Sequence, residues 1–203
     1  MTKGPADRSE WTITTHDWSL DVDADHLAVA RDVATSLGDE MALHLVLEVL
    51  AYADDEAEAI GRRGSVQVSV RGEEIEVADD GRGTDTRRDA QGHPVRKPVM
   101  ATRDVRFFDS EDSPLLPDGL RRRGMSLVAA ATPLLLHTNR RVEGTWVQAY
   151  ERGMPLGRLR EGPSAERTGT TVTFQLPSPE SVDVPKLRAL AATFQHLEVL
   201  VRG

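Results

Sequence analysis

The sequence predicts an α+β domain: a two-layer sandwich with helices on one face of a mixed, mostly antiparallel sheet. Two patterns carry that expectation. Over residues 45–60, Leu45, Val46, Val49, Leu50, Ala53, Ala57 and Ile60 recur at three- and four-residue steps, the period of a helix with one buried stripe. From Leu134 onward the chain breaks into short extended runs separated by turns bearing Gly or Pro. Helices gathered early and strands gathered late belong to an α+β layering rather than to alternating βαβ units. At 203 residues, 39% of them hydrophobic, the chain is long enough to bury one sizeable core.

Residues 1–10 are polar and are expected to form a flexible N-terminus ahead of a single domain over 11–203. Residues 11–22 alternate in part and read as one extended segment or a short hairpin. Asp23 or Asp25 is placed to cap a helix reaching Leu37, which Gly38 ends. A second helix over 39–60 carries the apolar stripe. At about 100° per residue, His44, Glu48, Tyr52 and Asp55 fall on an adjacent strip just outside that stripe. Strands over 66–70 and 75–78 form a hairpin through Arg71-Gly72-Glu73. From Asp80 the periodicity fades, with one short helix expected over 99–108, and the stretch 80–123 reads as a lid or loop region. A small buried helix follows over 124–132. Strands over 134–138, 145–151, 157–160 and 170–175, a helix over 184–195 and a strand over 197–201 complete the domain.

Composition removes several classes of function. There is no cysteine, so disulfides, thiolate metal sites and cysteine nucleophiles are excluded. No apolar run approaches the roughly 20 residues of a membrane span, and the first residues do not resemble a secretory signal, so a cytoplasmic protein without a membrane partner is expected. A net charge of −8 argues against direct nucleic-acid binding, because phosphates would be repelled. Residues 80–123 are locally basic, with ten Lys/Arg against eight Asp/Glu.

Several stretches carry a resemblance, in order along the chain. They are Glu48-Val49-Leu50-Ala51-Tyr52-Ala53-Asp54-Asp55-Glu56-Ala57, then Val77-Ala78-Asp79-Asp80-Gly81-Arg82-Gly83, and finally Tyr150-Glu151-Arg152-Gly153-Met154-Pro155 with Thr168-Gly169-Thr170-Thr171-Val172-Thr173-Phe174. They resemble the motifs E-V-V-D-N-x-x-D-E-A, V-x-D-N-G-R-G, Y-x-x-G-x-P and T-G-T-x-V-x-F of the gyrase B type of ATP-binding domain, the GHKL or Bergerat fold. The resemblance implies a Bergerat-type sandwich that takes ATP. It implies that Asp79 accepts a hydrogen bond from the adenine amino group, that Gly81 and Gly83 let the backbone approach the base, and that Thr170 helps to hold Asp79 and a water. It further implies Glu48 as the general base and an Arg82–Glu56 ion pair closing the pocket.

Three departures shape the expected function. Tyr52 stands where the family's Asn ligates Mg²⁺, and a neutral phenol is a poor ligand for that ion. Gly119-Leu120-Arg121-Arg122-Arg123-Gly124 keeps the outer glycines of the family's phosphate-wrapping G-L-H-G-V-G but puts arginine at its middle glycine. The chain also ends where that ATP-binding domain ends, so a stand-alone copy and not a complete topoisomerase is expected. The leading expectation is a nucleotide-binding regulatory or assembly module with weak or no hydrolysis, working with an unidentified protein partner. Two alternatives stay open: a slow Mg²⁺-dependent ATPase completed by a second protein, and a nucleotide-free interaction scaffold.

Overall fold

The computed structural model describes residues 15, 16, 20–108, 110, 112–177 and 182–203. The expected flexible N-terminus and most of the extended segment over 11–22 lie outside the described residues. Helix α1 (Ala24–Ser36) starts at Asp23, whose side chain accepts a hydrogen bond from the His26 backbone N–H and so satisfies one donor of the helix start. Gly38, at φ +54°, takes the left-handed conformation that turns the chain into a 3-10 segment, Gly38–Glu40, and then into α2 (Met41–Ala59). Two strands follow, β1 (Gly64–Arg71) and β2 (Glu74–Asp79), then a minimal ladder of β3 (Arg87–Arg88) and β4 (Pro94–Val95). After a 3-10 turn at Pro98–Met100 come α3 (Met125–Ala131), β5 (Leu135–Arg141), β6 (Gly144–Glu151), β7 (Met154–Glu161) and β8 (Gly169–Gln175). Helix α4 (Val184–Ala191) and β9 (Leu197–Arg202) complete the domain.

Seven strands form one sheet in the order β7-β6-β5-β8-β2-β1-β9. All neighbours are antiparallel except β1 and β9. The predicted α+β sandwich is therefore the observed architecture. Register explains how the sheet meets the helices. Ile75 lies opposite Val70 and Phe174, Val77 opposite Val68 and Val172, and Leu135 opposite Phe174 and Tyr150, so apolar side chains share one pleat face. These residues join Leu45, Val46, Val49 and Leu50 of α2 in one core. Glu74 and Glu76, on the opposite face, are only half-buried.

Helix α2 departs from its sequence pattern. Every residue from Ala42 to Ala51 is buried, including Leu47 and Ala51 outside the predicted stripe. His44 and Glu48 are buried as well, at 1% exposure each, where a strip at the edge of the apolar face is expected. A second cover causes this: α3 and the loop before it fold back over the side of α2 that faces away from the sheet.

Two further expectations need correction. The helix expected over 99–108 is confined to the 3-10 turn Pro98–Met100, because Asp104 spends its carboxylate on the Arg106 backbone N–H and guanidinium and stabilises a turn instead. Helix α4 stops at Ala191 rather than Gln195, with the Thr193 hydroxyl bonding back to the Leu190 carbonyl.

Leu50 is fully buried between the sheet and the second cover, whereas Val142 is 92% exposed in the β5–β6 turn. Leu50→Ala is expected to lower unfolding free energy by roughly 2–5 kcal/mol. Val142→Thr should change it by less than about 0.5 kcal/mol. Equilibrium urea denaturation of both variants checks the pair.

Candidate functional site

Along the inward face the sheet changes character from one end to the other. The rung through Ile75, Phe174 and Leu135 is apolar, whereas the rung two positions on from Val77 brings Asp79, Thr170 and Asn139 together. Polar residues on a buried face need partners, and each of these three has them. Asp79 Oδ1 accepts hydrogen bonds from the Gly81 N–H at 2.8 Å and the Thr170 N–H at 3.0 Å. Burial pushes the Asp79 carboxyl up, and the two amide bonds pull it back in part. Asn139 pairs with Thr84 as a strand would, its Oδ1 accepting from the Thr84 N–H and its Nδ2 donating to the Thr84 carbonyl, both at 2.7 Å.

Two glycines make this approach possible. Gly169 has φ +141°, and a Cβ there would lie 2.1 Å from the Asp79 carbonyl oxygen. Gly83 has φ +76°, and a Cβ there would meet Asn139 Oδ1 at 2.5 Å and the Arg140 carbonyl at 2.6 Å. Gly169 packs on the Asp79 backbone, and Gly83 on the Asn139 side chain and the Arg140 backbone, so any larger residue would force the segments apart.

Above this rung lies a cavity of about 230 Å³. Asp79, Thr170 and Gly83 line its base, and Tyr52, Asp55 and Glu56 line it from α2. Arg82 crosses to Glu56 as a two-pronged ion pair, Nε to Oε1 at 2.6 Å and Nη2 to Oε2 at 3.1 Å. Arg141, at the end of β5, bonds Asp85 and the Gly83 carbonyl, both at 3.0 Å. Lys97 reaches the Tyr52 hydroxyl at 3.5 Å. His16 also lines the cavity; its Nδ1 lies 2.9 Å from the Thr15 hydroxyl, and its Nε2 has no partner among the described residues. Burial, with the Lys97 and Arg106 charges, holds its pKa down at about 4 against the pull of Asp104, so the ring is neutral.

The structure brings Tyr52, Asp79, Arg82, Gly83 and Thr170 to one cavity and seats Gly81 beside them as a donor to Asp79. It places Glu48, Gly119 and Gly124 elsewhere. The Glu48 carboxylate accepts from the Arg123 N–H through Oε1 and from the Gly124 N–H at 2.9 Å through Oε2. It thereby caps the entry to α3. His44, one turn before it, lies 3.4 Å from Glu48 Oε1 and 2.7 Å from Asp118 Oδ2. Gly119 donates its N–H to the Leu116 carbonyl.

The three consecutive arginines are also engaged. Arg122 is 6% exposed, binds both oxygens of Asp55 at 2.9 and 2.8 Å, and stacks over the Phe107 ring at 4.1 Å. Arg121 bonds the Ser113 carbonyl and Arg123 the Phe108 carbonyl. These arginines fasten the loop to the body of the protein. Lys97, Arg141, Asp85 and His16 were not singled out from the sequence. Arg141 sits in a hairpin with no local cue. For Lys97 the available signal was rarity, since the chain has three lysines among 25 Lys/Arg residues.

No family model matches the chain. It is similar to the DNA gyrase B protein of Mycolicibacterium smegmatis, 34% identical over 140 residues, which is 68% of this chain and 20% of that protein. To the DNA gyrase B protein of Mycobacterium tuberculosis it is 36% identical over 140 residues, with the same coverage. To that of Micrococcus luteus it is 30% identical over 165 residues, 79% of this chain and 23% of that protein. These similarities support a gyrase B-like relationship. The chain spans about one fifth of the length of the curated relatives it matches.

The His44 cluster gives a pH test. Burial alone would lower the imidazole pKa, but hydrogen bonds to Asp118 and Glu48 outweigh it and raise the value to about 9. A folded-state pKa above the unfolded value near 6.5 stabilises the protein fully below pH ~6.5, and that contribution is lost as pH rises through about 9. Unfolding free energy is therefore expected to fall by roughly 3 kcal/mol across that window through this group. His44→Gln should flatten the slope, as read from urea denaturation between pH 6 and pH 9.5.

Proposed function

We propose that this chain is a gyrase B-like adenine-nucleotide-binding domain that serves as a regulatory or assembly module and hydrolyses ATP weakly or not at all. The observation that carries the reading is Asp79. Its Oδ1 is fixed by two backbone N–H groups, it lines the cavity, and its Oδ2 has no hydrogen-bond partner among the described residues. A pre-oriented acceptor in a partly dry wall suits an exocyclic amino group, since leaving such a group unpaired costs about 1–3 kcal/mol. The Arg82–Glu56 pair, at the mouth of the same cavity, supports a planar ligand lying beneath a polar clasp.

Weak turnover is supported by the seating of Glu48. A general base needs its carboxylate within reach of the attacking water. Both Glu48 oxygens instead take backbone N–H bonds at the α3 entry, and the residue does not line the cavity. A regulatory or assembly role supplies the reason for a protein partner, and the net charge of −8 favours a protein over a nucleic acid.

Calorimetric titration with ATP, ADP and adenosine tests the proposal. All three are expected to bind, and Asp79→Asn, shown folded by circular dichroism, should weaken each by roughly 10- to 100-fold. Phosphate release from ATP should stay near background and be unchanged in Glu48→Gln. Equal affinity in wild type and Asp79→Asn would sink the adenine role. Turnover that vanishes in Glu48→Gln would replace the module by an ATPase.

A further inference from the structure

We infer that Lys97 is the counter-ion for an anionic ligand group in the cavity, and that this chain binds polyphosphate there without a divalent metal. The inference deepens the nucleotide reading, on which it rests for the identity of the ligand but not for its charge.

The charge pairing of the cavity carries it. Arg82 is paired with Glu56, Arg141 with Asp85, and Arg106 with Asp104. Lys97 is half-buried, and among the described residues its partner is the neutral Tyr52 hydroxyl, with no carboxylate within salt-bridge reach. An ammonium drawn partly out of water without a counter-charge is costly, and an anion entering beside it removes that cost. Burial first, and the Lys97 charge second, hold His16 and His137 down at about 4, in His16 against the pull of Asp104. Both imidazoles are neutral and add no further positive charge. The His16 Nε2, buried and unpartnered among the described residues, is a second polar atom of the lining that an entering ligand can satisfy.

The same pairing argues against magnesium, which the resemblance implies. Mg²⁺ asks for oxygen ligands free to coordinate it, usually one or two carboxylates beside substrate phosphates. Asp55 is held by both nitrogens of Arg122, Glu56 by Arg82 and Asp85 by Arg141, while Tyr52 offers a neutral phenol. Among the described residues no group of three or more His, Asp or Glu side chains is placed to hold a metal ion. The residues present do not fit the ion. A lysine supplies charge compensation without coordination geometry.

Titrations of the purified chain with ATP, adenosine and inorganic tripolyphosphate, each in EDTA and in excess Mg²⁺, decide the matter. ATP is expected to bind equally, within about twofold, in both media. Lys97→Met should weaken ATP and tripolyphosphate by roughly tenfold or more, leave adenosine unchanged, and be partly rescued by Lys97→Arg. Thermal melting of each variant confirms folding.

Mg²⁺ tightening ATP tenfold or more would overturn the inference, as would Lys97→Met binding ATP and tripolyphosphate like wild type. Adenosine binding with no gain from phosphates overturns the Lys97 role and leaves the adenine reading standing. Lys97-dependent tripolyphosphate binding without adenosine binding does the reverse. Binding of none of the three by a folded chain removes both.

Discussion

The burial of α2 on both its sheet side and its outer side is the constraint to which the other features answer. A helix packed against a sheet alone keeps a wet face, and polar residues on that face need no partner. Here the outer face is covered too, so His44 and Glu48 must be satisfied from within the protein. The loop before α3 does this. It brings Asp118 to His44 and the backbone amides of Arg123 and Gly124 to Glu48, while Arg122 pairs with Asp55 about two turns further on. The buried polar groups of the helix and the path of the loop are one arrangement.

That arrangement separates two places that a shared sequence motif would join. Glu48 lies on the same helix as Tyr52, Asp55 and Glu56, yet it points its carboxylate into the loop and α3, whereas those three line the cavity over Asp79. The distinction follows from what each side chain touches. A gyrase B-like relationship over about two thirds of the chain is compatible with altered chemistry where single residues differ.

Much of the fold was legible because its signals are local. The α2 stripe, the β1–β2 hairpin and the glycine at the head of α3 are read from neighbours a few positions apart. The Asp79-to-Gly83 segment was equally visible, since its glycines meet a steric need that is plain at Gly83. What could not be read was set by distant residues. The depth of His44 and Glu48 depends on a cover from residues 118–124. Asp55 falls on the strip beside His44, Glu48 and Tyr52, and its partner Arg122 lies far along the chain. Lys97 and Arg141 reach the cavity from a loop and a strand end, where no periodicity marks a side chain's direction.

The parallel pairing of β1 with β9 has a consequence for synthesis. Strand β1 leaves the ribosome early, paired with β2 on one side only, and Gly64–Arg71 then presents an open edge until Leu197–Arg202 emerges. An edge of that kind is a template for pairing with another chain. Closure of the sheet thus waits for β9, and a pairing so distant along the chain is slow to form and lengthens the exposure of that edge.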